Sequence, residues 1–382
     1  MQERGDLRKG DDGSWEVQTN VNWNTMPARV EGAIGERINR LEPSLQELLQ
    51  VASVEGEEFT AEVVACALHL DERQVVRLLS RELDKIHALV YAIGTRHTAH
   101  RRLSRYRFRH ILIQRYLYHS LDEVERIYQH EAVGRALEKI HEGRVAEVAV
   151  QLARHFELAR LPQEAAVYLH LAGDQARRTT ALKEAIRFYQ AALSHWPDGD
   201  PAGRAALLRK LGECLWMTGQ ARKALEMFAA GYELFSTLDN IEEAGAMQRL
   251  IGRVYWELGE RGKSLAHYRQ ALSILESLPE SVELAWAISS ISQMHMLADE
   301  EEEAIEWGER ALTLARDLKA EAVIVHALNN IGTAYLLKGQ LEEGRRLLEE
   351  SVQRAIDGNL PHDACRGRLN LGSGFIRLDH YN

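Results

Sequence analysis

Apolar and small residues recur with a forty-residue step along the C-terminal half of the chain. The segments LGECLWMTGQARKALEMFAAG (211–231), IGRVYWELGERGKSLAHYRQA (251–271), ISQMHMLADEEEEAIEWGERA (291–311) and IGTAYLLKGQLEEGRRLLEES (331–351) align without a gap, and a fifth copy starts at Leu371. In each copy the apolar residues are spaced for two amphipathic helices. A turn residue separates them: Gly219, Gly259, Asp299 or Gly339, all suited to a helix C-terminus. Small residues hold fixed places on the first helix (Gly212, Gly252, Ser292, Gly332, Gly372) and on the second (Ala224, Ser264, Ala304, Gly344, then Gly231, Ala271, Ala311, Ser351). Large residues fill the seam: Leu211, Ile251, Ile291 and Ile331 on the first helix, Phe228, Tyr268 and Leu348 on the second. The pattern predicts antiparallel helix pairs in close contact. Gly308 stands where a bulky residue is expected, and Trp307 is the expected filler.

Upstream the pattern loosens. Residues 145–159, 162–178 and 181–195 read as three amphipathic helices, and WPDGDPAG (196–203) is the clearest break before the regular array. Residues 30–120 read as helices RVEGAIGERINRL, PSLQELLQVASV, FTAEVVACALHL and DERQVVRLLSRELDKI, the last with Asp71 as N-cap. Two strands follow, HALVYAI and SRYRFRHILIQ, the second running into a helix, and a polar loop, GTRHTAHRRL, joins them. Three helices followed by a hairpin is the order of a winged helix. Before all this, Leu7–Lys9 and Ser14–Val17 read as a short hairpin with a Gly/Asp turn.

The small/large pattern of the repeats resembles the tetratricopeptide repeat (TPR), whose usual period is about 34 residues. The longer step is similar to that of maltose-regulator (MalT)-type sensor arrays. A HEAT-type array shares the period, but the Gly and Ala positions fit the TPR better. The stretches MPARVEGAIGERINRLEPSLQELLQVASVEGEEFTAEVVA, YRFRHILIQRYLYHSLDEVERIYQHEAVGRALE and VAVQLARHFELARLPQEAAVYLHLAGDQA resemble the part of STAND-type signalling ATPases that follows the nucleotide-binding domain. The expected fold is therefore mainly α, an α-α superhelix of TPR hairpins preceded by a winged-helix-like domain with a small β-hairpin. The expected divisions are 1–25, the remnant hairpin of an upstream ATPase module; 26–120, the winged helix; 121–200, bridging helices and an irregular TPR; and 201–382, the array, truncated in its fifth copy. The resemblance implies a non-catalytic sensor or scaffold segment. No cofactor is expected in this chain, with ATP or ADP held by the ATPase module of the full-length protein.

Composition narrows the partners. The net charge is −10, which argues against a protein that coats nucleic acid along its whole surface. Residues 85–121 differ: they carry eight cations and no acid, leaving −18 for the rest. The basic wing Arg96, Arg101, Arg102, Arg105 and Arg107 suits either DNA phosphates or an acidic or phosphate-bearing face of the ATPase module. The helix DERQVVRLLSRELDKI mixes four acids with four bases and offers no clear base-reading face. The resemblance implies a winged helix that acts as a lid, so the intramolecular partner is favoured and a DNA-binding transcriptional regulator is the alternative. Cys66, Cys214 and Cys365 show no metal or disulfide spacing and read as reduced thiols of a cytoplasmic protein. No apolar run is long enough to span a membrane.

Enzyme chemistry is sought without result. GERGKS (259–264) has Glu257 where a phosphate loop needs glycine, and it falls on a repeat turn. Glu300–Glu303 read as a solvated helix start rather than a cation site. For His110, in the sequence Phe108-Arg109-His110, the resemblance implies contact with the phosphate of bound ADP; the other reading is a helix cap. The concave groove of the array is expected to present Arg209, Trp216, Arg249, Arg253, Trp256, Met296 and Asn329. There Trp216, Trp256 and Met296 would either form an apolar ladder or pack between helices, and the arginines would hold an acidic peptide end or a small anionic effector. The spacing does not match a Lys/Asn carboxylate clamp, so a C-terminal peptide is not the ligand it indicates.

Overall fold

The computed structural model describes residues 7–9, 15–17, 28–97 and 102–379. It divides into two compact units, Met1–Ala172 and Gly173–Asn382. Both are mainly helical, and a three-stranded sheet lies in the first.

In the first unit, strands β1 (Leu7–Lys9) and β2 (Trp15–Val17) pair antiparallel, with Arg8 opposite Glu16; the turn expected between them lies outside the described residues. Helices α1 (Ala28–Asn39) and α2 (Pro43–Glu55) follow, the second with proline in its first turn, where no N–H is missed. The FTAEVV segment opens as a strand, β3 (Glu58–Thr60), before α3 (Ala61–Ala67). The helical period of that segment hid this strand, which is only three residues long. Helix α4 (Glu72–Arg77) starts on Asp71, whose carboxylate accepts from Gln74 N, and continues as a π-helical stretch, Leu78–Ile86. Strand β4 (Val90–His97) runs further into the polar loop than its apolar residues suggested, and β5 (Arg102–Phe108) returns beside it. The sheet order is β3-β5-β4, all antiparallel. Phe59, Tyr106 and Phe108 point from the sheet into a core shared with Leu48, Leu49, Leu79 and Leu83.

Helices α5 (Ile111–Ser120) and α6 (Glu123–Ile140) continue this core, as do a 3-10 turn at Val145–Val148 and α7 (Ala149–Leu158). Asp122 and Glu125 form a reciprocal capping box at the start of α6. Between α6 and α7 lies a buried polar chain. The Tyr118 hydroxyl is 3.0 Å from His130 Nε2, and His130 Nδ1 is 2.9 Å from His155 Nδ1. Two facing ring nitrogens share one hydrogen, so the accepting ring is neutral. Burial pushes their pKa values down to about 4 for His130 and about 3 for His155.

Helix α8 is Pro162–Arg178 and α9 is Leu182–Ser194. The regular array of the second unit then runs as α10 (Pro201–Met217), α11 (Ala221–Thr237), α12 (Ile241–Glu257), α13 (Arg261–Leu275), α14 (Val282–Met296), α15 (Glu301–Asp317), α16 (Glu321–Leu337), α17 (Leu341–Asp357) and α18 (Pro361–Asp379). Most of these helices have 17 residues, joined by three-residue turns. The added length of the repeat therefore extends both helices and does not form a linker. Gly219, Gly259, Asp299 and Gly339 have positive φ at the turns within pairs, as the sequence requires; Asp239, Lys319 and Asn359 do the same between pairs.

The small residues permit contact. A Cβ on Gly212 would lie 2.6 Å from Phe228, and one on Gly252 would lie 2.8 Å from Tyr268 and 3.1 Å from the Ser264 carbonyl. Phe228 and Tyr268 are fully buried. The Ser264 and Ser292 hydroxyls donate to Gly252 O and Ala304 O, sealing their pairs with hydrogen bonds. At Gly308 the expectation fails: the space is filled by Ile331 of the next pair, 2.4 Å from where a Cβ would stand, rather than by Trp307. In α18, Leu371 is half-buried; the side chains of Phe375 and Leu378 lie outside the described residues.

Gly252→Ala is expected to destabilise the chain by about 1–3 kcal/mol through overpacking. Gly262→Ala, with no atom within 4 Å of its Cβ, should stabilise it by about 0.5–1 kcal/mol; urea midpoints decide both. The unfolded state takes up protons on His130 and His155 below about pH 6.5, before the folded state does. Glu55, whose buried carboxyl is raised to about 7, works the other way, taking up its proton in the folded state first. The two imidazoles outweigh it, so stability should fall as pH drops from about 6.5 toward 4, by on the order of 3 kcal/mol net, and His155→Leu should flatten that fall in urea titrations run across the range.

Candidate binding groove

In the first unit, the wing arginines are tied to acids of the same domain. Strand pairing sets Glu58 opposite Arg107, and the Glu58 carboxylate accepts from both Arg105 and Arg107. Those arginines hold its carboxyl below the usual range, the Arg107 bond most. Arg109 Nη2 donates to Asp84 at 2.6 Å, and Arg96 lies 3.5 Å from Glu147. Arg102 is exposed, and Arg101 lies outside the described residues. The basic wing thus has a third partner that the charge run could not reveal, its own acids. His110 is exposed and is the N-cap of α5, where its Nδ1 accepts from Leu112 N at 3.1 Å. The capping role is thus present, and Nε2 is the ring nitrogen left over.

In the second unit, a cavity of about 330 Å³ opens on α10, α12, α14 and α16, the first helices of four successive pairs, and on α18, which follows them in the same phase. Arg209, Trp216, Arg249 and Arg253, all expected in the groove, line it. The network among them is set by one carboxylate. Glu283 accepts from Arg209 Nη2 at 3.0 Å and from Arg249 Nε and Nη2 at 3.0 and 2.8 Å. Arg209 also reaches Glu243 at 2.6 Å and Glu213 at 3.2 Å. Burial opposes the charge of Glu283, but Arg249 and Arg209 outweigh it and lower its pKa. Arg209 and Arg249 are therefore neutralised internally, which corrects the expectation that they stand ready for an anion. Arg253 is held more loosely, at 3.4 Å from Gln293 Oε1 and 3.5 Å from Glu257. It lies over the Trp216 ring at 5.8 Å, and Trp216 Nε1 donates to Glu257 at 2.6 Å.

The expected ladder of Trp216, Trp256 and Met296 does not form along the groove. Met296 is buried against Ala304 and Ala334. Trp256 packs against the core of the neighbouring pairs, under Arg261. Asn329 is buried too, its Oδ1 accepting from Asn370 Nδ2 at 2.8 Å. The aromatic wall of the cavity is instead Trp216 and Trp286. Residues that sequence reasoning missed are Glu283, Trp286, His326, His362, Asp363 and Arg366. Trp286, His326 and Arg366 share one phase of the forty-residue step, three residues before Ser289, Asn329 and Leu369. The register held the signal, one helical turn earlier than the phase that was followed.

Glu283→Gln is expected to cost about 1–3 kcal/mol, because it leaves the half-buried Arg249 guanidinium without its acid and takes one of three acids from Arg209. Glu257→Gln, at an exposed partner, should cost under about 1 kcal/mol; chemical denaturation distinguishes the two.

A tetratricopeptide-repeat family model matches residues 243–317, and a second matches residues 324–356. Those segments are tetratricopeptide repeats. No curated protein matches the chain. Similar solved structures include BtubC from P. vanneervenii, at 17% identity over 59% of this chain and 92% of that one, with a TM-score of 0.45. Another is the Rap conjugation gene regulator of the plasmid pLS20 in complex with the Phr* peptide, at 14% identity over 68% of this chain and 80% of that one, with a TM-score of 0.49. A third is the STAND protein with a tetratricopeptide-repeat sensor from Pyrococcus horikoshii, at 13% identity over 92% of this chain and 63% of that one, with a TM-score of 0.39.

Proposed function

We propose that the chain is a non-catalytic sensor segment of a STAND-type signalling regulator. Its MalT-like repeat array binds a protein, peptide or small effector through the first-helix groove. The observation that carries this reading is the convergence of side chains from four successive first helices and α18 on one cavity. Repeat arrays present such faces because each pair contacts only its neighbours and leaves one side of every first helix uncovered.

Residues 26–120 act as a winged-helix lid on the ATPase module. The order helix, strand, two helices and hairpin supports this, with the sheet order β3-β5-β4. ATP or ADP belongs to that module, and His110 Nε2 is the nitrogen offered to a nucleotide phosphate there. The regulator works in the cytoplasm; among the described residues no helix is long and apolar enough to cross a membrane. Coupling requires only that the ligand favour one lid arrangement over another. The DNA-binding alternative is weaker, because Arg105, Arg107 and Arg109 are already engaged by Glu58 and Asp84.

Trp216→Ala and Arg253→Ala should each weaken capture of the native partner by about tenfold or more, while leaving the circular dichroism melt near that of the wild type. Retained capture by both variants would remove the groove from the proposal.

A further inference from the structure

We infer that the groove cavity takes an apolar monocarboxylate, its carboxylate held by the Arg366 guanidinium and the His326 ring and its apolar body against Trp216 and Trp286. The inference rests on the groove reading and gives the occupant a chemistry.

The charges of the cavity divide into a satisfied group and an unsatisfied one. Arg209 and Arg249 share Glu283, and Arg209 has two further acids. A ligand gains little by competing for them. Arg366 differs. Its Nε is enclosed and has no partner, and its Nη2 makes one long bond, 3.4 Å to His326 O. Burial lowers its pKa to about 10, with Asp363 pulling it up and Arg253 pushing it down. A buried charged donor without an acceptor is costly, and the group that relieves it is an anion.

His326 supplies the second donor. Asn330 Nδ2 donates to Ser289 O at 2.9 Å, which fixes the orientation of the amide. The same Nδ2 lies 3.3 Å from His326 Nδ1, and Ser289 Oγ lies 2.7 Å from it. Facing an amide N–H, Nδ1 accepts, so the ring proton is on Nε2. Burial keeps the ring neutral, aided by Arg366, Arg253, Arg249 and His362 around it. His326 lines the cavity with Nδ1 already occupied, which leaves the Nε2 hydrogen for an occupant.

Charge and size set the class. A guanidinium fork matches the two oxygens of a carboxylate. Glu283 already holds Arg209 and Arg249, and Arg253 lies 3.5 Å from Glu257, which leaves Arg366 as the cation for a single negative charge. The volume of about 330 Å³ is at the small end of ligand pockets and suits one aromatic group rather than a length of chain. A free aryl or indolyl acid has this chemistry, as does the last residue of a peptide.

The test uses the full chain, with N-acetyl-tryptophan, its carboxamide, and a hexapeptide ending in a free tryptophan carboxylate as probes. Calorimetry should show the acid binding at least about tenfold tighter than the amide, the strength of a charge-assisted hydrogen bond. Arg366→Gln should erase that preference. In the wild type, nitrogen-15 spectra should show His326 protonated at Nε2, and the Arg366 Nε–H signal should shift saturably with the acid. Binding by N-acetyl-tryptophan alone identifies a free small acid as the natural form; binding by the hexapeptide as well admits a peptide C-terminus. Equal binding of acid and amide, both lost in Trp216→Ala, would keep the groove and overturn the carboxylate assignment. So would the absence of any saturable Arg366 shift up to about 10 mM acid; partner capture by the groove variants then judges the groove separately.

Discussion

The second unit depends on how closely two helices approach within each pair. Gly212 against Phe228 and Gly252 against Tyr268 each remove a Cβ so that a ring can lie flat on the opposing backbone. At Gly332 the missing Cβ makes room for the branched Leu348 side chain, 2.9 Å away, and for Gly344 O at 3.0 Å. Three of the pairs are set this way, and Ser292, bonded to Ala304 O, takes the same place between α14 and α15. The side chains of α10, α12, α14, α16 and α18 meet at positions set by the repeat. The cavity is thus a consequence of packing on the far side of its own helices.

Within that frame, Glu283 organises the charged wall. A single carboxylate engaging Arg209 and Arg249 holds two cations that would otherwise repel each other. Among the described residues that line the groove, Arg366 is the guanidinium with an enclosed, unpartnered nitrogen. The first unit uses the same device with Glu58, which bridges Arg105 and Arg107 across a strand pair. In both places an acid that looks like one more surface charge in the sequence determines which arginines remain available.

The repeat step, the turn glycines and the ring positions were legible because each has a local physical cause: helical period, positive φ, or a missing Cβ. Four of the groove residues, Arg209, Trp216, Arg249 and Arg253, followed from helix phase alone. Met296 and Asn329 did not behave as that phase suggests, because later pairs pack more tightly across α14·α16 and α16·α18 and bury the same face. β3 was hidden because three residues cannot show an alternation. The pairing of wing arginines with Glu58 and Asp84 was out of reach because it joins residues 25 to 49 apart, and charge composition carries no such information.

One of these bonds skips a repeat. Arg209 on α10 reaches Glu283 on α14, 74 residues on and two pairs away, in an array whose helices pack mainly against their neighbours. A stack held by neighbour contacts bends like a coil spring, each joint adding a small angle. A strut from the first coil to the third fixes the sum of those angles rather than any one of them. The pitch of the array is then tied to the charge state of a single carboxylate. Whatever draws Arg209 away from it lets the spring change its length.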